Sequence, residues 1–472
     1  MPIAMPIAMP SPSILVVGAG LTGAAVSRAL RRSLPAESII VWEALGAVGG
    51  RMQTERVSVE GGALGLADTG AQYVTVTDDA AVATAHDPLY NALLDAGILM
   101  PMVGRIEGTR SADGGGKNYI APAGVAAIVE HLFRVAGVRP VLGRRATGLY
   151  RAPPVACGSG GSGGGVGGVG SGGGNPSPRG RWEVSAADGT RQAFDGVVLT
   201  QPAPHMLSLL DAGDAAAWLP DAAPDAPSAA ASARRSSQLS RSQLSREKLR
   251  AVEYSARFAL TLYFPPSAAP LFGANLDWKS KYVTKAEDDA LVYLSLDWAK
   301  RGGAPTEAVS IVAHSSVPYG MRTMAAGTSE AAVLAELRRR VYALLPWLPP
   351  TPSAESLQPW PLSQVFGLSL MIAPLISFRS LISSSLHYQV RSPIILSNGR
   401  ACARLYPPED KEAAHEAAVD EATAAAARST PVLSAPVLVL AGDAFSALGS
   451  RFDGCVQSAE AAAAAVLEEL EL

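Results

Sequence analysis

The chain contains few of the residues that form disulfide frameworks and metal sites. Its 472 residues include three cysteines, Cys157, Cys402 and Cys455, and six histidines. The cysteines are too few and too scattered for a disulfide framework or a zinc site, and no two histidines are closely spaced. We therefore expect neither a disulfide framework nor a bound metal.

A strong net charge and a long apolar run are also missing. The net charge of −3 at pH 7 is not that of a protein that binds nucleic acid or an anionic membrane. The most apolar stretch beyond the first strand, residues 365–377, is too short for a bilayer and contains Pro374. Residues 1–13 lack the basic residues of a secretory or transit signal. We expect a soluble intracellular protein, cytoplasmic by default, with a chloroplast location as the alternative.

Near the N-terminus, a glycine motif lies between a strand pattern and a helix pattern. The apolar run ILVV at residues 14–17 is followed by Gly18, Gly20 and Gly23, and residues 21–32 have helical composition. In a dinucleotide-binding turn, the first glycine permits the tight turn and the second allows the backbone to approach a pyrophosphate. The third lets the helix pack closely, and the phosphates face free N–H groups at the helix start. The hydroxyl of Thr22 either binds a phosphate or starts the helix.

A second apolar strand at residues 39–42 ends at Glu43. A carboxylate in this position accepts hydrogen bonds from a ribose in dinucleotide-binding folds. The glycine spacing alone is weak evidence, but strand, turn, helix, second strand and terminal acid together predict an α/β, Rossmann-like dinucleotide-binding domain. This pattern does not choose between NAD and FAD.

The residues that follow resemble the flavin amine oxidase superfamily. GGRM begins at Gly49, DTGAQYV begins at Asp68, and near the other end a strand pattern runs into Gly442 and Asp443 before FDGCV opens a helix. In that superfamily the GGR segment lies against FAD, the aspartate binds the ribityl chain, and the last helix faces the flavin pyrimidine edge. The resemblance implies that Arg51 supplies charge to the diphosphate. It also implies that the helix terminus stabilises negative charge at N1 and O2.

Several pieces narrow the resemblance to the renalase family. VWE…GGRMQT, DTGAQYVT, YIAPAGVAAIVEHL, YSARFALTLYF, HSSVPYG, WPLSQV and FDGCVQSA occur in this order. The activity of that family is the FAD-dependent oxidation of misformed dihydro-NAD(P)H isomers by O2 to NAD(P)+ and hydrogen peroxide. The resemblance therefore implies a dihydronicotinamide dinucleotide and O2 as small-molecule partners, with no nucleic acid or membrane partner. It also implies FAD as the cofactor, which we expect to be non-covalent because Cys455 lies at a helix start, where packing is the expected role.

The resemblance and the motifs together give a set of candidate site residues. The predicted cofactor-binding residues are Gly18, Gly20, Thr22, Gly23, Glu43, Gly50, Arg51, Gln72, Tyr73, Gly442, Asp443, Gly454 and Val456. The pocket candidates are His314, Trp360 and Gln364, and no catalytic base is assigned. A buried strand histidine and a core aromatic are the alternative interpretations of His314 and Trp360.

The predicted architecture has two domains and three insertions. A discontinuous Rossmann-like FAD-binding domain takes residues 14–76, 118–210 and 436–470, and a smaller mixed β-sheet/α substrate domain takes residues 77–117 and 248–365. The insertions, at residues 156–179, 211–247 and 366–435, are low-complexity or of uncertain structure. GxGxxG spacings within residues 158–174 follow no strand, so we reject a second nucleotide site.

Two other functions stay open. A flavin-dependent amine oxidase usually has a lysine that hydrogen-bonds a water at N5 and an aromatic cage near the C-terminal flavin segment. Here Ala444 and Phe445 depart from the cage pattern, and Lys279, Lys281 and Lys285 lie in a stretch with a surface pattern. A non-catalytic flavoprotein binding module is the third reading, and a colourless protein that cannot be loaded with FAD would favour it.

Overall fold

Strand and helix patterns alternate along the chain and build two larger sheets with helices packed on them. The computed structural model describes residues 11–108, 117–152, 180–219, 221, 245–368, 403–404, 436–446 and 448–472. The strands are β1 (Ile14–Val17), β2 (Ile39–Trp42), β3 (Thr54–Ser58), β4 (Leu64–Asp68), β5 (Val74–Thr75), β6 (Met100–Pro101), β7 (Arg105–Glu107), β8 (Asn118–Ile120), β9 (Ala146–Ala152), β10 (Arg181–Ala186), β11 (Arg191–Phe194), β12 (Gly196–Leu199), β13 (Val252–Phe264), β14 (Trp278–Tyr282), β15 (Leu291–Leu296), β16 (Val309–Ser315), β17 (Ala354–Leu368), β18 (Ala403–Arg404) and β19 (Val437–Leu440). The helices are α1 (Leu21–Leu30), α2 (Ala80–Asp95), α3 (Ala126–Ala136), α4 (Ala203–Asp211), α5 (Arg246–Arg250), α6 (Ala269–Asn275), α7 (Asp297–Lys300), α8 (Val317–Ala325), α9 (Glu330–Leu344) and α10 (Phe452–Leu470).

The first sheet is five-stranded, in the order β18-β19-β12-β1-β2. Its strands are parallel except β18, which runs antiparallel to β19. Every residue of β1, β12 and β19 is buried, as expected for a parallel sheet covered on both faces. Because β2 and β12 lie on opposite sides of β1, the strand order reverses there. A crevice at such a switch point, at the carboxyl ends of the strands, is the usual ligand site of this fold class.

The second sheet is six-stranded, in the order β17-β13-β16-β15-β14-β7. Side chains alternate between its two faces along the long strand β13. Phe258, Leu260 and Leu262 join the core cluster that includes buried residues of α8 and α9. Ala259 and Tyr263 point the other way and pack with residues around β3 and β4. The second face of the sheet is therefore turned toward β3 and β4.

Most predicted elements of the second sheet are confirmed, but no strand was predicted for the residues that form β17. The sequence patterns of residues 252–264, 291–296 and 309–314 predict strands, and that of residues 330–345 predicts a helix. These ranges agree with β13, β15, β16 and α9 to within a residue. The WPLSQV segment was expected only to follow a proline-rich turn, yet it lies inside β17. Two prolines are tolerated there because β17 is an edge strand.

Parts of two predicted insertions are ordered. Residues 214–218 form a short 3-10 helix, and Ala215 and Leu219 are buried in the core cluster beside β10. These two apolar side chains therefore have a core to fill, and the boundary at residue 211 stays a prediction. Residues 156–179, and most of residues 366–435, lie outside the described residues. The division into two domains stays a prediction: β7 pairs with β14, whereas α2 packs into the core that contains α1 and α10.

Candidate functional site

The glycine turn between β1 and α1 brings backbone atoms into close contact. Gly18 has a φ of +107°, and a Cβ atom there would lie 2.7 Å from the Thr200 hydroxyl. A Cβ atom on Gly23 would overlap the carbonyl oxygen of Gly18. Gly20 occupies the N-cap position of α1, where no side chain caps the helix. The N–H groups of the first turn are therefore left for a ligand, as the sequence analysis expects of a phosphate site.

Glu43 and the GGR segment are attached to this turn by hydrogen bonds. The Glu43 carboxylate accepts from the Ala19 N–H at 2.8 Å and from the Leu45 N–H at 2.8 Å. The Gly49 N–H donates to the Ala19 carbonyl at 2.9 Å, and Gly50 has a φ of +58°. The carboxylate is thus held beside the glycine turn with lone pairs left for a further donor.

Arg51 and Asp443 form an ion pair between the two ends of the chain. Arg51 Nη1 lies 2.6 Å from Asp443 Oδ2, which also accepts from the Ser450 hydroxyl at 2.6 Å. Burial alone would raise the pKa of Asp443, but Arg51 and Ser450 hold it below its usual value. Arg51 also approaches the Ser363 carbonyl at 3.4 Å, so one guanidinium joins the GGR segment, β17 and the Gly442-Asp443 turn. Gly442 adopts a φ of +133° at this turn.

The start of α10 is packed tightly against the same region. A Cβ atom on Gly454 would overlap the carbonyl oxygen of Gly449, and no side chain caps this helix. The Thr22 hydroxyl contacts the Cys455 thiol, whose pKa burial raises to about 11. A thiol that stays protonated is a poor nucleophile. Val456, 1% exposed, is a core residue, so only its backbone is positioned to face a ligand.

Sequence reasoning missed the role of Asp453 in the first turn of α10. Its fully buried carboxylate accepts from the Thr77 N–H at 2.9 Å and the Tyr90 hydroxyl at 3.1 Å, and it lies 2.7 Å from His86 Nδ1. The Asp453 side chain therefore links α2 and the residues just before it to the first turn of α10. Nothing in the local sequence marks these partners, because they are distant along the chain.

Three predicted site residues meet at the DTGAQ turn after β4. The Trp360 indole N–H donates to the Thr69 carbonyl at 2.9 Å, and Gln72 Nε2 lies 3.3 Å from His314 Nε2. The same Gln72 nitrogen donates to the Asp68 carbonyl, and Lys300 lies 3.4 Å from Gln72 Oε1. This fixes the amide orientation, so His314 accepts from Gln72 through Nε2 and is a neutral imidazole. Burial, with Arg257 and Lys300 nearby, lowers the pKa of His314 to about 3.

A buried cluster of four charges supports this turn. Lys300 lies 2.5 Å from Asp297 and 3.2 Å from Asp68, and it donates to the Gln72 carbonyl at 2.8 Å. Arg301 pairs with both aspartates, and all four side chains are at most 3% exposed. Burial raises the pKa of Asp68, whereas Arg301 and Lys300 overcome burial and hold the pKa of Asp297 below its usual value. No role was predicted from the sequence for any of these four charges.

Aromatic side chains continue the site across the second sheet. In the register of β16, β15 and β14, His314 is opposite Tyr293, and Tyr293 is opposite Tyr282. The Tyr282 hydroxyl lies 2.6 Å from that of Tyr73. Desolvation and this contact raise the pKa of Tyr73 far above its usual value, so it is a neutral phenol.

The remaining candidates lie apart from this group. Gln364 is exposed on β17, and its side chain makes no polar contact with another described residue. Lys281 forms ion pairs with Glu107 at 2.5 Å and Glu287 at 2.7 Å, and Lys285 is exposed. Phe445 is 1% exposed and packs in the core. Among the described residues, no three histidine, cysteine, aspartate or glutamate side chains are placed to hold a metal ion, and no helix is long and apolar enough to span a membrane.

Comparisons with known proteins agree with this architecture. A family model described as an NAD(P)-binding Rossmann-like domain matches residues 16–87. A solved structure from Exiguobacterium, assigned as a protoporphyrinogen oxidase, has a TM-score of 0.55 and 12% identity and covers 98% of this chain and 100% of its own. Cyclohexylamine oxidase from Brevibacterium oxydans has a TM-score of 0.53 and 14% identity, with the same coverage. The chain has an α/β, Rossmann-like dinucleotide-binding fold that resembles the folds of these two oxidases.

That fold confirms the predicted fold class, and one relative is similar in sequence over most of its length. Renalase of Mus musculus is 28% identical over 354 residues, which cover 75% of this chain and 85% of that protein. The resemblance to renalases is thus a distant one. It leaves the substrate to be argued from the site.

Proposed function

We propose that this chain is an FAD-dependent oxidase that takes a hydride from misformed dihydro-NAD(P)H isomers. The products would be NAD(P)+ and, after transfer of two electrons and two protons to O2, hydrogen peroxide. The observation that carries the proposal is the cluster of polar side chains at the DTGAQ turn, where Gln72, neutral His314 and Trp360 meet around Thr69. The similarity to mouse renalase supports the same reading.

The residues around the glycine turn between β1 and α1 and around the GGR segment fit FAD. The uncapped first turn of α1 and the small residues Gly20 and Gly50 suit a diphosphate approached by backbone N–H groups. Glu43 suits the adenosine ribose, and Asp443, kept ionised by Arg51, suits hydroxyl groups of the ribityl chain. When bound, the flavin supplies the hydride acceptor for the reaction.

We infer that FAD is held without a covalent bond. Among the described residues, Cys455 is the one cysteine. Its thiol stays protonated near neutral pH because burial raises its pKa to about 11. A covalent thioether would require a nucleophilic thiolate in this position.

The site residues favour a substrate that needs no protein base. Dihydronicotinamide carries a ring nitrogen whose lone pair drives hydride loss, so positioning is the main requirement. His314 accepts a hydrogen bond from Gln72 and has a low pKa, so it is a poor base. Trp360 instead offers the face of an indole on which a carboxamide-bearing ring can stack, and Gln72 holds the His314 imidazole in place.

The same residues argue against oxidation of amines. An ammonium substrate must first lose a proton, and amine oxidases of this superfamily usually place a lysine near the flavin. The N–H groups of Lys300 are taken by Asp68, Asp297 and Gln72, and its side chain is fully buried. Phe445 lies in the core and contributes no cage wall.

Anaerobic stopped-flow mixing tests the proposal. Oxidised holoprotein is mixed with dihydro-NAD(P) isomers and, separately, with primary and secondary amines, and the flavin absorbance is followed. We expect rapid bleaching by at least one dihydronicotinamide isomer and hydrogen peroxide on admission of O2. Bleaching by amines alone would establish the amine oxidase alternative instead. Loading with FAD but no bleaching by either class would favour the binding module.

A further inference from the structure

Arg257, in β13, is a half-buried cation for which the described part of the chain offers no partner. Its Nε atom is buried and makes no hydrogen bond, and no residue in the described part of the chain forms an ion pair with the guanidinium. Burial lowers the pKa of Arg257, and the hydroxyl of Tyr282 is the group that opposes this effect. A cation withdrawn from water costs free energy unless an anion or several hydrogen bonds compensate it.

The position of Arg257 places it in the wall of the candidate site. It lies opposite Trp360 in the register of β13 and β17, and Ala259, two residues along, lies opposite His314. Directly opposed residues share a face of a sheet, so Arg257, Trp360 and His314 point to the same side. That side is the one opposite α8 and α9, turned toward the DTGAQ turn. The charge of Arg257 also contributes to the low pKa of His314, which requires the two side chains to be close.

The neighbouring buried cations are already compensated. Lys300 and Arg301 face two carboxylates, Asp68 and Asp297, so this cluster has formal charges of both signs in equal number. Among the described residues, Arg257 therefore gives the site wall one unmatched positive charge. A cationic amine would be repelled by it, whereas an oxyanion would receive a charge-assisted, bidentate hydrogen bond.

We propose that Arg257 binds a phosphate group of the substrate and so selects phosphate-bearing dihydronicotinamides over ribosides and amines. This inference rests on the proposed oxidase function for the identity of the substrate. The anion site itself depends only on the geometry of the β13 wall. It makes Arg257 a binding residue that acts on affinity and leaves the hydride-transfer step to the flavin.

The test compares Arg257→Met and Arg257→Lys with Arg339→Met, which removes the same charge from an exposed position on α9. Steady-state kinetics are measured with dihydronicotinamide riboside, mononucleotide and dinucleotide. We expect Arg257→Met to raise KM for the two phosphorylated substrates about tenfold or more, because it removes a charge-assisted contact to the phosphate. The bleaching rate at saturation and the riboside KM should stay at wild-type values. Arg257→Lys should fall between, because lysine keeps the charge and loses the bidentate geometry.

A second readout does not depend on turnover. Inorganic pyrophosphate is titrated into FAD-loaded protein in a calorimeter, so that the cofactor diphosphate site is filled. We expect binding to wild type and to Arg339→Met, and about tenfold weaker binding to Arg257→Met. Equal pyrophosphate affinity in all three proteins would overturn the proposal, and so would an equal rise of KM for the riboside. If no dihydronicotinamide bleaches the flavin but pyrophosphate still binds through Arg257, the oxidase function falls and the anion site stands.

Discussion

Arg51 Nη1 lies 2.6 Å from the Asp443 carboxylate, although 392 positions separate the two residues along the chain. The GGR loop and the Gly442-Asp443 turn therefore meet at one point, beside the glycine turn after β1. Because Asp443 is only 4% exposed, it depends on Arg51 for its charge to be compensated. This contact is the junction on which the predicted FAD cleft depends.

Replacing Arg51 should weaken FAD binding and the fold together. In Arg51→Met, Asp443 keeps a buried charge without its partner, and we expect about 1–3 kcal/mol of lost stability and about tenfold weaker FAD binding. Urea unfolding and titration of the apoprotein with FAD measure the two effects. Arg32→Met is the matched control, since Arg32 is a mostly exposed arginine 3.7 Å from Glu460. Wild-type FAD affinity in Arg51→Met would contradict this role.

Adding a methyl group at Gly454 should disturb the start of α10. A Cβ atom there overlaps the Gly449 carbonyl, so Gly454→Ala must shift the helix. Overpacking of this kind costs about 1–3 kcal/mol. Gly46→Ala is the control, because a Cβ atom on Gly46 meets nothing within 4 Å. Differential scanning calorimetry should show a lower Tm for the first variant only, and equal Tm values would refute the close packing.

His314 should make the protein less stable as the pH falls. The pKa of His314 is lowered from about 6.5 to about 3, so between these values the unfolded imidazole binds a proton and the folded one does not. The contribution of neutral His314 to the free energy of unfolding is fully present above about pH 6.5 and is lost as the pH falls toward about 3. His314→Asn should show a smaller decline of unfolding free energy from about pH 7 to about pH 5 than wild type. An unchanged decline in His314→Asn would mean that the imidazole is already charged in the fold.

Lys300 should be a structural residue. Lys300→Met leaves two buried carboxylates with one fewer cation, and we expect about 3–5 kcal/mol of lost stability. The double variant Lys300→Met/Asp297→Asn should recover part of it, because one unpaired charge is removed as well. Lys285→Met, at an exposed position, should unfold like wild type. A Lys300→Met protein with normal stability but no activity would instead indicate a catalytic lysine and return the amine oxidase reading.

The sequence predicts the elements whose signal is local. The glycine turn around Gly18 and Gly23 was recognisable because strand, glycines and helix follow each other, and β19 was recognisable from its apolar run before Gly442. The buried cluster of Asp68, Lys300 and their partners could not be predicted in this way. Its members come from separate elements, and the run DWAKR at residues 297–301 has the charge pattern of an exposed helix.

The pairing register of β13 decides which side chains line the remaining part of the site. Arg257 alternates with apolar residues in a strand that faces a core on one side and the site on the other. Which face an arginine takes depends on pairing with β16 and β17, and a shift by one residue would reverse it. The sequence gives no local signal for that register, so the pocket candidates His314 and Trp360 were found by resemblance and Arg257 was not.

The FAD content of the purified protein tests the central claim most directly. The absorbance spectrum and the flavin released by acid are measured on the same sample, before and after loading with FAD. We predict close to one FAD per chain, all of it in the acid supernatant. A colourless protein that cannot be loaded would contradict the claim that Arg51 and Asp443 form the centre of an FAD cleft, and yellow precipitated protein would contradict non-covalent binding.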